Sequence, residues 1–85
     1  MKEPEIRYSY AVKHGFYAGE ILIFIKKQLN SYEFLSIPKM LNRSIPCDKF
    51  KYGWSNGIID FVEIIPKDVY KVITQQFENN GKRIK

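Results

Sequence analysis

Lys49-Phe50-Lys51-Tyr52-Gly53-Trp54-Ser55-Asn56-Gly57 is the stretch best supplied with side chains that could do chemistry. Its lysines alternate with aromatic rings, the combination that holds single-stranded nucleic acid, cations on the phosphates and rings stacked on the bases at about 1–3 kcal/mol each. Lys49, Lys51, Tyr52 and Trp54 are therefore candidate nucleic-acid contacts, with Lys82, Arg83 and Lys85 as an electrostatic arm. The glycine and aromatic positions do not match the basic-Gly-aromatic octamer of RNA-recognition strands. The plainer reading of the same stretch is that Phe50 and Trp54 complete a small core with solvated lysines beside them.

A second set of rings, Tyr8, Tyr10, Phe16, Tyr17 and Tyr32, is the candidate protein interface. One long helix cannot cover them all, and exposed aromatic patches on small domains mark partner surfaces. The competing reading seats them at the rim of the core, rings buried and hydroxyls wet.

The catalytic inventory is thin. Cys47 and His14 are the lone cysteine and the lone histidine, 33 positions apart, with no local signature around either. One of each cannot make a structural zinc site, and no disulfide can close within the chain. Gly53 and Gly57 lack the Lys-Ser/Thr that follows a phosphate-binding loop. Asp60 and Glu63, three apart on a strand, are expected on opposite faces and so do not form an acid pair. This inventory predicts a non-enzymatic protein without cofactor or metal.

Composition sets the remaining bounds. At 85 residues the chain is expected to form a single domain, 1–85, with 1–5 and 81–85 flexible. Apolar residues make up 45% and aromatics 15%, enough to offset the ordering entropy of a fold. Of the net charge of +5, Lys82, Arg83 and Lys85 carry three, so the body is only mildly basic. The longest apolar run has five residues against the ~20 that cross a bilayer, and no signal-peptide pattern opens the chain. The expectation is a cytoplasmic protein with no membrane partner, working as a binding module through a protein interface, as a homodimer or accessory subunit. Single-stranded nucleic-acid binding is the alternative.

The elements that must position these residues follow from periodicity. Ile21-Leu22-Ile23-Phe24-Ile25, apolar on both faces and rich in β-branched residues, predicts a central strand. It pairs with Phe34-Leu35-Ser36-Ile37 through a turn at 28–32, and Pro38 ends that hairpin. Residues 7–13 alternate, with Tyr8, Tyr10 and Val12 on one face and a wet face of Arg7, Ser9, Ala11 and Lys13 opposite. Arg43 to Pro46 reads as a short extended piece. Asp48 is the expected N-cap of a short helix over 49–56 that puts Phe50 and Trp54 on one side, with Gly57 closing it; a strand over the same residues is the rival. Residues 58–65 read as another strand. Pro66 opens a helix over 67–79 whose buried stripe is Val69, Val72, Ile73 and Phe77, stopped by Asn79-Asn80-Gly81. The predicted fold is α+β, an antiparallel sheet of about four strands with the C-terminal helix on one face; a partly open barrel closed by that helix is the runner-up.

Overall fold

The computed structural model describes residues 3–83, with side chains through Glu78. Five strands, β1 (Tyr8–Val12), β2 (Ile21–Lys27), β3 (Ser31–Ile37), β4 (Leu41–Pro46) and β5 (Ile59–Ile64), and two helices, α1 (Cys47–Ser55) and α2 (Lys67–Arg83), make an α+β fold. All strand pairs are antiparallel, in the order β4-β3-β2-β1-β5, and the sheet stays open rather than closing into a barrel. The predicted extended piece ending at Pro46 is β4, one strand more than the four expected. β2 lies in the middle, as its apolar run requires: Leu22, Ile23 and Phe24 are all buried although they alternate between faces.

α1 covers one face. Tyr10, Val12, Leu22, Phe24, Tyr32, Phe34, Ile45 and Ile59 form the core there with Phe50 of the helix. The Phe50 ring stacks on Phe34 at 5.4 Å and meets Tyr10 and Tyr32 edge-on at 5.1 and 5.4 Å. Trp54 follows one turn later, half-buried against Tyr10. Gly53 lets the helix settle: a Cβ there would stand 2.8 Å from Ile59 Cδ1. The helix begins at Cys47 with Pro46 as N-cap, not at Asp48 as expected. The Cys47 N–H donates instead to the Asn30 carbonyl at 2.9 Å, so a tertiary contact replaces the side-chain cap, and Asp48 Oδ1 accepts the Lys49 N–H.

α2 lies on the opposite face. Its Tyr70 hydroxyl donates to the Phe24 carbonyl at 3.4 Å, and Thr74 and Phe77 line a small hollow together with Ile25, Glu33 and Asn42. The face of β1 expected to be wet is therefore partly covered: Ser9 is fully buried and Ala11 half-buried, with the Ser9 hydroxyl donating to the Glu63 carbonyl at 2.7 Å. The predicted helical stripe is rotated. Val69 and Val72 are exposed, while Tyr70, Ile73, Thr74 and Phe77 are half-buried. Tyr70, bonded to the Phe24 carbonyl, takes the sheet-facing position and leaves the two valines on the outer side. The helix also continues four residues beyond Asn79, because asparagine and glycine each cost a helix only about 1 kcal/mol or less.

A bulge between β1 and β5 changes one prediction outright. Ser9 pairs with Glu63 and Tyr10 with Phe61, so Val62 is an extra residue on β5. Asp60 and Glu63 thereby share a face, opposite Ala11 and Ser9, rather than pointing apart. They still form no acid pair: Asp60 binds Lys13 at 2.5 Å, and Glu63 is exposed. The bulge also interrupts the free edge of β5, where Phe61, Val62 and Ile64 stand exposed.

Candidate functional site

The loop from His14 to Gly19 joins β1 to β2 and is held by its own backbone. Val12 and Glu20 bond across its base, Gly19 N–H donates to the Val12 carbonyl at 2.9 Å, and Ala18 N–H to the Gly15 carbonyl at 3.2 Å. Gly15 and Gly19 sit at φ 97° and 88°, conformations closed to most side chains. Between them Phe16 is fully exposed, with a relative accessibility of 103%. An ordered loop thus displays a bare phenyl ring.

The loop is clamped from beneath by a part-buried ionic cluster. Glu20, only 4% exposed, accepts from Arg43 Nε at 3.1 Å, from Arg43 Nη2 at 2.9 Å and from the Ser36 hydroxyl at 2.5 Å. The two Arg43 bonds, with help from Ser36, hold the Glu20 carboxyl below its ordinary range against the opposing effect of burial. Arg43 in turn lies 4.4 Å from the centre of the Tyr17 ring, a cation–π contact that fixes Tyr17 beside Phe16.

Facing the loop is the side of α1 that carries Lys49, Tyr52 and Gly53. Between them runs a groove of about 300 Å³ whose floor is apolar, formed by Val12, Ile45, Gly53, Ile58 and Ile59. Its lips carry His14, Phe16 and Tyr17 on one side and Lys49 and Tyr52 on the other. Tyr52 is 64% exposed. The volume sits at the lower end of what a small-molecule site needs and would take one or two side chains.

The groove unites halves of two sets that are separate in the sequence. Phe16 and Tyr17 come from the candidate protein interface, whereas Tyr10 and Tyr32 of that set are core, 2% and 1% exposed, and Tyr8 is half-buried against Phe61. Burial pushes the Tyr10 phenol up to about 12 and raises Tyr32 as well, where a 2.9 Å bond to Glu3 adds to the effect. Lys49 and Tyr52 come from the candidate nucleic-acid surface, whereas Lys51, exposed on the same helix, lines a different hollow with Asn30 and Cys47. Trp54 belongs to the packed side of α1. The Lys82 and Arg83 side chains, and Lys85, lie outside the described residues. His14 reaches the groove although its own surroundings in the chain carry no signal; Cys47, half-buried, does not line it.

A wider, open hollow of about 980 Å³ lies at the other end of the sheet, where Glu3 joins Lys27 at 3.3 Å and the Tyr32 hydroxyl. Glu5, Arg7 and Lys26 line the same hollow. Among the described residues no three His, Cys, Asp or Glu side chains are grouped to hold a metal, and no helix is long and apolar enough to cross a membrane. Comparison of the chain with protein-family models, curated proteins and solved structures finds no match.

Proposed function

We propose that this chain is a non-enzymatic binding module of the cytoplasm that engages a protein partner through the groove between the His14–Gly19 loop and α1, as an accessory subunit or within a homodimer. One observation carries the reading: Phe16 is held fully exposed by a hydrogen-bonded loop, beside an apolar floor and the exposed ring of Tyr52. An ordered aromatic that contributes nothing to its own core gains about 1.5–3 kcal/mol when a partner covers it, and such anchors dominate interface energetics.

Phe16→Ala is expected to leave the unfolding free energy within about 0.5 kcal/mol of wild type, since the ring touches so little. A photo-crosslinking residue at position 16, expressed in cells, should yield a discrete protein adduct that Tyr52→Ala abolishes. No adduct, or one indifferent to Tyr52, removes the reading.

Nucleic acid is the second reading, supported by the joint exposure of Lys49, Lys51 and Tyr52 on α1. It predicts single-strand binding that weakens as salt rises and falls by ~5- to 100-fold in Tyr52→Ala. Binding insensitive to salt, or none at millimolar oligonucleotide, excludes it.

A further inference from the structure

Resting on the protein-partner reading, we infer that the partner is a second copy of this chain, each copy placing its Phe16 ring in the other's groove about a two-fold axis. Anchor and receptacle share one face of the molecule without filling each other. Phe16 stands on the lip of the groove, yet in a loop tied by its own backbone bonds the ring is 103% exposed. A foreign protein would have to bring both a side chain for the floor and cover for Phe16. A second copy brings both, since an isologous interface joins one patch to itself. The floor of Val12, Ile45, Ile58 and Ile59, bordered by Tyr52, is then closed by the other copy's phenyl ring.

Charge agrees with this occupant. Asp48 and Lys49 are exposed side by side next to Tyr52, so this lip carries both signs and no net charge. A two-fold axis lets each lysine face the other copy's aspartate, whereas a strongly acidic or basic segment meets one of the two with like charge. A ring of about 150–250 Å² from each copy, with the rims around it, falls short of the ~800 Å² per partner of a standard interface. The dimer is therefore expected to be weak, with Kd on the order of 10–100 µM.

Sedimentation equilibrium of the whole chain, up to a concentration of about 1 mM, measures the association. Phe16→Ala should weaken it by ~100-fold or more, because both copies lose their anchor. The cross-link at position 16 should join two copies of the chain. Where two substitutions are placed then separates reciprocal insertion from any other dimer. A Phe16→Ala copy mixed with a Tyr52→Ala copy keeps one whole anchor and groove; a copy carrying both changes, mixed with wild type, keeps none. The first mixture should associate ~10-fold more tightly than the second, read from the fluorescence anisotropy of a labelled copy. Equal association in the two mixtures, or a dimer indifferent to Phe16→Ala, overturns the inference. So does a chain that stays monomeric at about 1 mM. In that case a cross-link from position 16 to a different protein leaves the groove standing as a protein site, and no cross-link removes that reading as well.

Discussion

Phe50→Ala is expected to lower the unfolding free energy by about 3–5 kcal/mol, the usual cost of truncating a fully buried phenylalanine. The ring has no exposed surface and touches Tyr10, Tyr32 and Phe34, so its loss leaves a cavity walled by three other aromatics. Those walls belong to β1 and β3 and cannot collapse inward without disturbing the sheet. An 85-residue domain holds roughly 5–15 kcal/mol in all, and toward the lower end of that range, so the variant is expected to be partly unfolded at 37 °C. Urea denaturation followed by Trp54 fluorescence and far-ultraviolet circular dichroism measures the loss. Phe50→Leu, which keeps more of the volume, should cost less than half as much. A cost under about 1 kcal/mol for the alanine variant would mean that α1 does not belong to the cooperative core.

The second large effect is expected at Glu20. Glu20→Gln leaves the Arg43 guanidinium without its counter-charge in a site where Glu20 is 4% exposed, and is expected to lower stability by clearly less than the loss of a fully buried pair, because the guanidinium, 20% exposed, still reaches water. Lys39, 3.7 Å from Glu20 but largely in water, adds little. Replacing both partners, Glu20→Met with Arg43→Met, should cost clearly less than the two single changes added together, since no charge is then stranded. The pH dependence has a defined sign. The carboxyl is held below its ordinary value of 4.5, so the folded state binds that proton more weakly than the unfolded chain does. Its contribution is complete above the unfolded value and disappears as pH falls through the lower, folded one. The stability gap between wild type and Glu20→Gln should therefore be constant near neutrality and narrow below pH 4.5. A gap that stays constant down to pH 2 would contradict the assignment. Arg43 also supports Tyr17, so Glu20→Gln should raise the mobility of the His14–Gly19 loop and move the Gly15 amide resonance.

Much of the architecture is legible in local pattern. The apolar, β-branched run at 21–25 implies burial on both faces, and β2 is the middle strand. The alternation of Tyr8, Tyr10 and Val12 places them on one face, and the spacing of Phe50 and Trp54 turns them to one side of a helix. These patterns can be read because each reports a local free-energy preference, repeated at the period of the element that forms.

The departures arise where a distant contact outweighs a local one. Pro46 rather than Asp48 is the N-cap of α1, and the Cys47 N–H finds the Asn30 carbonyl. One extra residue at Val62 puts Asp60 and Glu63 on the same face, and no periodicity announces a bulge. Tyr10 and Tyr32 are core and Phe16 is bare, although all three are aromatic residues near strand or loop positions, because α1 covers only part of the sheet.

By itself, then, the sequence determined four of the five strands, the long C-terminal helix, the central place of β2 and the residue types available at the surface. Only the tertiary structure decided that Phe16 and Tyr17 face Lys49 and Tyr52 across an apolar floor, residues 16 and 52 being 36 positions apart. Strand and helix preferences are settled within a few neighbouring residues. The groove depends on strand order and on where α1 lands, and those are set by how the whole chain buries its apolar surface at once.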